Sequence, residues 1–333
     1  MLTIVMYHYV RDLAGTRFPE IRGLSTDRFE GQLDYLTKHY TFCRPDEVVA
    51  AAQGDHVLPP NACLLTFDDG LRDHYTTVFP RLEERGIAAV FCPAVRPIQE
   101  HTVLDVHMIH FVLASVHDPR RLVDEVWSLV DAHRSALALP DRPTLYRMCA
   151  GPSRFDSPEV TFLKRLLQRV LPPRVRTNIC RALFQRYVSA DLTSFAGELY
   201  MDLAQLCCLA RYGMAIGGHG YGHDWLEAFG PAKQREDIRQ TMSLLEAVTG
   251  RRPTNWIMCY PYGSYSKHTL DLLQEAGCAV GLTTKVGLVT GFSSPLELHR
   301  LDTNDLPCAG DAPLSEWTTR ARETVEARAA QPG

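Results

Sequence analysis

Two adjacent carboxylates, Asp68 and Asp69, follow the apolar run Cys63-Leu64-Leu65-Thr66-Phe67 and precede Gly70. Two like charges so close cannot both ionise cheaply without a cation. A divalent metal relieves the conflict: one carboxylate ligates it and the other stays free as a base. The bland reading is a tight turn, since Asp and Gly are common turn residues. A second stretch, "GGHGYGHDW", spaces His219 and His223 four residues apart. On a helix that spacing puts both imidazoles on one face, and a loop can achieve the same. Alone, such histidines are more often solvated or hydrogen-bonded. Joined by one of the aspartates they make an Asp-His-His set with open positions for water and substrate, the pattern of a catalytic metal site. A third stretch, "CYPYGSY" (259–265), reads locally as a proline-containing turn before a helix capped by Ser266.

The elements that must hold these residues follow from periodicity. "LTIVMY" (2–7), "CLLTF", "IAAVFC", "MAIGG" (214–218), "NWIMCY", "CAVGLTT" and "LELHRLD" read as strands. Helices are expected over 26–39, about 75–85, 233–249 and 266–276, with Gly86, Gly250 and Gly277 at three of their ends. Each chemical stretch falls where a strand ends. Alternating strands and helices argue for a parallel α/β architecture, open or closed into a barrel, whose chemistry collects at the C-terminal strand ends. From about 98 to 212 the pattern turns helical, rich in Arg and Leu and punctuated by proline, which reads as an insertion. The remainder, 1–312, is expected to be a single barrel unit, with 313–333 an exposed helical tail that frays.

Composition bounds the function classes. A formal net charge of -4 gives no global field favouring nucleic acid or an anionic membrane. No apolar run approaches the length of a membrane span. The N-terminal "MLTIVMYHYV" lacks the basic and cleavage regions of a signal peptide. The ten cysteines contain no CxxC pair and several sit in apolar runs, so they are expected to be reduced core residues in a cytoplasmic compartment. The oligomeric state is not legible.

Taken in order, Thr66–Gly70, His219–His223 and Cys259–Gly263 resemble the three motifs of the polysaccharide deacetylase family, the NodB-like enzymes of carbohydrate esterase family 4. The resemblance covers roughly 1–97 and 213–305. It implies a distorted (β/α)7-type NodB-like barrel with a large helical insertion. It implies that Asp69, His219 and His223 hold one divalent ion, zinc by default, with cobalt, nickel or iron fitting similar ligands. It implies further that Asp68 is the general base toward the attacking water, that the Tyr262 N–H helps hold the oxyanion, and that the reaction is hydrolysis of an N-acetyl group on an amino sugar. The leaving amine needs an acid. His8 at the end of the first strand is favoured for it over His299, because some members of the family place that histidine in an N-terminal Tyr-His segment.

Two departures stand out. Cys259 replaces the arginine that in the family pairs with the catalytic aspartate, and Arg300 is the expected substitute. Gly220 stands where the family usually has Ser or Thr, which removes a loop hydrogen bond. Trp225 and Tyr265 are candidates to stack on a sugar, and His299 and His110 to contact substrate. His107 and His110, three residues apart in the insertion, lack a third ligand at suitable spacing and are read as part of a wall or lid. The expected substrate is a small, nucleotide-, lipid- or metabolite-linked glycan. The competing readings are another C–N hydrolase acting on a cyclic imide, a ureide or an N-formyl group, and a catalytically weak carbohydrate-binding protein.

Overall fold

In the computed structural model the apolar runs become the strands of one parallel sheet: β1 (Leu2–Tyr7), β5 (Ala62–Asp69), β6 (Ala89–Pro93), β7 (Ala215–Ile216), β8 (Trp256–Cys259), β9 (Cys278–Val286) and β10 (Leu298–Asp302). Short β2 (Val10–Arg11) and β3 (Leu24–Ser25) pair with each other, and β4 (Thr41–Phe42) pairs with β5. The structure describes residues 1–133 and 139–329.

The strand order is β7-β6-β5-β1-β10-β9-β8. Apart from the link between β1 and β10, neighbours in that order are successive large strands of the chain, as a β/α barrel requires. The two ends of the sheet meet. Gly218 N–H donates to the Ile257 carbonyl (2.8 Å) and Cys259 N–H to the Gly218 carbonyl (2.9 Å), so the parallel sheet nearly closes into a barrel. β1 and β5 are buried along their whole length, as strands covered on both faces must be. The expected helices are present as Thr26–His39, Phe79–Glu84, Pro231–Thr249 and Lys267–Glu275. The second of the expected segments differs: His74–Val78 is a π-helical turn ahead of Phe79, the kind of local widening often found at functional sites.

The C-terminal tail is corrected. Glu316–Ala329 is helical, yet Thr318 and Ala321 are buried. The hydroxyls of Tyr35 and Tyr40 both donate to Thr318 Oγ1, at 2.8 and 2.9 Å. These two buried hydroxyls need an acceptor, and the first turn of the tail helix provides it.

Contacts divide the chain into two units. One comprises 1–12, 23–100 and 197–333 and contains the barrel; the other comprises 13–22 and 101–196. The second unit is helical, with three of its helices starting at Asp118, Asp141 and Ser157 caps followed by proline. Phe18, Phe111, Phe184 and Phe195 form an edge-on aromatic cluster in its core. All ten cysteines are free thiols, most of them buried. Among the described residues no helix is long and apolar enough to cross a membrane.

Candidate active site

The end of β5 sets the two carboxylates apart. Asp68 is the penultimate residue of the strand and is 1% exposed. At Asp69 and Gly70 the backbone turns left-handed, with φ of 76° and 70°. That path is unfavourable for a side chain, and at Gly70 a Cβ would also lie 2.6 Å from Pro93 Cβ. The glycine of the motif is therefore required by the turn that separates the two acids.

Asp68 faces the barrel interior and meets Arg300 from β10. Nη1 donates to Oδ1 at 2.9 Å and Nη2 lies 2.8 Å from Oδ2, a two-pronged ion pair. The guanidinium also donates to the Thr283 carbonyl (2.9 Å) and to Thr66 Oγ1 (3.2 Å). Burial works to raise the Asp68 pKa, but the Arg300 charge outweighs it and holds the carboxyl well below the usual carboxylate range. Arg300 answers in kind: burial opposes its charge, and Asp68 carries its pKa upward. The missing motif arginine is thus made good from another strand. The small Cys259 side chain leaves room, with its Sγ 3.6 Å from Arg300 Nη1 and 2.9 Å from Cys92 Sγ.

Asp69 faces the histidines. Its Oδ1 lies 3.3 Å from Nε2 of both His219 and His223, and the two rings are 4.8 Å apart. The HxxxH stretch is a loop, not a helix, with His223 at φ 55°. His219 Nδ1 lies 2.8 Å from the Cys259 carbonyl. A carbonyl only accepts, so Nδ1 carries the proton and a neutral ring turns the Nε2 lone pair toward Asp69, the orientation of a ligating histidine. A lone pair cannot rest against a carboxylate oxygen, so Nε2 calls for a proton or a metal ion between it and Asp69. Burial works to lower the His219 pKa, yet hydrogen bonding to Asp69 and the charges of both aspartates raise it, the same pull a metal would feel.

Among the described residues two groups bring ligand atoms within 4.8 Å of one another: Asp69–His219–His223 and Asp68–Cys92–Cys259. The second already holds a cation, the Arg300 guanidinium. The first joins one carboxylate to two imidazoles, a set that suits a divalent ion such as zinc.

The remaining expected residues divide. His8 follows β1, close enough that its charge bears on Asp68. Its backbone is clamped: His74 Nε2 lies 2.8 Å from the His8 carbonyl. Burial pushes the His74 pKa down to about 4, so a neutral ring donates from Nε2. Tyr262, at φ 57° in the turn Pro261–Gly263, packs edge-on against His223 at 4.5 Å and flat against Trp225 at 4.5 Å. Both therefore border the histidine cluster. Two others have different surroundings. His299 is exposed because strand side chains alternate and Arg300 takes the inward position. Tyr265 packs on Tyr260 at 4.8 Å, and its hydroxyl is engaged by Glu297 and Lys285, both at 2.7 Å, so it braces an edge of the barrel. His110 lies in the helical unit, 6.0 Å from the His107 ring, and neither joins a ligand group among the described residues.

Sequence reasoning missed His74 and Asp237. No local signal marks His74. Asp237 did carry one: it shares the buried stripe of its helix with Thr241, Leu244 and Val248, and a carboxylate on such a stripe needs a reason.

A nearly closed parallel barrel with an Asp-His-His cluster and an arginine-paired aspartate at its strand ends has a NodB-like architecture. The comparisons agree. A family model described as Polysaccharide deacetylase matches residues 177–281. YxkH of Bacillus subtilis, named provisionally as a polysaccharide deacetylase, is 27% identical over 108 residues, which is 32% of this chain and 38% of that protein's length. The Streptococcus pyogenes deacetylase PplD in complex with acetate superposes with a TM-score of 0.55 at 17% identity, covering 92% of this chain and 94% of that one. IcaB from Ammonifex degensii gives 0.54 at 17% identity, covering 96% and 97%. At such identities the two structures speak for the fold. Over residues 177–281 the chain resembles the polysaccharide deacetylase family.

Proposed function

We propose that the protein is a metal-dependent hydrolase that removes the N-acetyl group from an amino sugar. The observation that carries this reading is the convergence of Asp69, His219 and His223 on one point, with Asp68 ionised beside them. A bound divalent ion would polarise the amide carbonyl and acidify the attacking water. Asp68, kept ionised by Arg300, accepts the proton of that water. The Tyr262 N–H, beside His223, donates to the oxygen of the tetrahedral intermediate. His8 delivers a proton to the departing amine. Trp225, stacked on Tyr262, offers a flat apolar surface for a sugar ring.

The substrate we propose is a small glycan: nucleotide-, lipid- or metabolite-linked. The free cysteines support a reducing, cytoplasm-like compartment. A binding-only protein was suggested by Cys259 in place of arginine, and the Arg300–Asp68 pair removes that motive.

The test joins metal analysis of the purified chain to acetate release from free, nucleotide-linked and lipid-linked N-acetyl hexosamines. Stoichiometric zinc or a similar ion, with acetate released from one of these classes, is expected. Ring opening of cyclic imides, cleavage of ureides or release of formate from N-formyl sugars, with no acetate, would replace the reading with that of another C–N hydrolase.

A further inference from the structure

The loop that carries His219 and His223 has no regular structure, so its backbone polar groups must find partners elsewhere. Two carbonyls are answered by the helix Val95–Glu100. Val95 N–H donates to the Gly220 carbonyl at 3.1 Å and Arg96 N–H to the Tyr221 carbonyl at 2.8 Å. The amide midway between the histidines, Tyr221 N–H, donates to Asp237 Oδ2 at 3.0 Å.

Asp237 lies on the helix Pro231–Thr249 and is only 5% exposed. Its other oxygen, Oδ1, is buried without a hydrogen-bond partner. A half-satisfied buried carboxylate is costly to keep. Burial pushes its pKa up to about 6, against the Tyr221 hydrogen bond. Oδ1 sits 3.1 Å from where a Cβ on Gly220 would stand, and Gly220 itself is left-handed at φ 67°. The carboxylate therefore occupies the space beside the loop that a side chain at position 220 would contest.

We propose that Asp237 is a positioning residue of the metal centre: by fixing the Tyr221 amide it sets the separation and aim of His219 and His223. It touches neither metal nor substrate. The inference rests on the Asp69–His219–His223 reading of the site and adds to it a residue from outside the three motifs. Gly220, where the family usually has Ser or Thr, fits this arrangement, since the loop is held from the helix and not by its own side chain.

The experiment uses the full chain, stripped of metal and titrated with zinc against a chelating dye. Unfolding temperatures are measured with and without zinc. Asp237→Ala and Asp237→Leu both remove the acceptor, the second while filling the space. Either is expected to bind zinc 10- to 100-fold more weakly, roughly the loss seen when a group supporting a metal ligand is removed. Asp237→Asn keeps an oxygen for the Tyr221 amide and is expected to stay within about threefold of the unaltered chain, by the same yardstick. A purely structural role would lower the unfolding temperature equally with and without zinc. A positioning role shrinks the rise that zinc produces. Unaltered zinc affinity in a folded Asp237→Ala or Asp237→Leu chain overturns this inference alone. Failure of the unaltered chain to bind zinc overturns the metal reading and this inference together.

Discussion

Asp68 and Asp69 are neighbours on one strand, yet their surroundings are opposites. Asp68 points into a closed pocket where Arg300 neutralises it with two contacts. Asp69 points at two imidazole nitrogens. Both are almost fully buried. In one half an arginine grips the carboxylate, and in the other a carboxylate and two imidazoles converge. A left-handed turn at Asp69 and Gly70 ends the strand beyond the two carboxylates, which face different partners. The lesson is that ligand count alone does not mark a metal site. Asp68, Cys92 and Cys259 also converge, but their positive charge is already in place.

The contrast is broken most severely on the side of the two imidazoles. Asp69→Ala or His219→Ala should abolish stoichiometric zinc and with it all acetate release, checked by metal analysis and a release assay. On the other side, Asp68→Asn should leave zinc content unchanged while turnover falls about 10²- to 10⁴-fold, the usual worth of a general base. If Asp68→Asn also empties the metal, the division of labour between the two acids is wrong.

Arg300→Met strips the cation from the neutralised half. It leaves a buried carboxylate without its partner, and a loss of about 3–5 kcal/mol of stability is expected by denaturant unfolding. The pH dependence has a definite sign. Arg300 holds the folded pKa of Asp68 below its unfolded value. Its stabilisation is therefore present above the unfolded value and lost as pH falls through the folded one. Without Arg300 the folded pKa rises, so the acid limb of the rate profile should move to higher pH. An acid limb that stays in place would show that Arg300 does not keep the base ionised.

The metal half was legible in the sequence and the Arg300 half only partly so, for a physical reason. Ligands at strand ends in a parallel barrel converge by topology, so one of the two aspartates could be grouped with His219 and His223 from strand ends and spacing, and the family resemblance singled out Asp69. The Asp68–Arg300 pair joins residues 232 positions apart, and it was reachable only because a missing arginine at Cys259 demanded a replacement. The clamp of His74 on His8 and that of Asp237 on Tyr221 left no such gap to notice. The exposure of His299 and the packing of Tyr265 on Tyr260 were not legible from residue type, because they depend on strand alternation and on distant neighbours. The tail misled similarly. Its polar sequence hid Thr318, which is buried only because two distant tyrosine hydroxyls converge on it.

The smallest expected effects separate the two candidate acids. His8 follows a strand whose end abuts β5, its backbone is pinned by His74, and its charge bears on Asp68. His299 is exposed, one residue from Arg300 on the same strand and turned the other way. His8→Gln should therefore lower kcat about 100-fold, the low end for a general acid, and leave zinc affinity intact. It should also spare substrates whose leaving group needs no proton, such as an activated aryl acetate. His299→Ala should stay within about twofold on every substrate, as expected for a surface side chain remote from the chemistry. The reverse ranking would mean that the proton reaches the amine from outside the barrel, which the alternation of β10 does not allow without a shift of register that would also pull Arg300 away from Asp68.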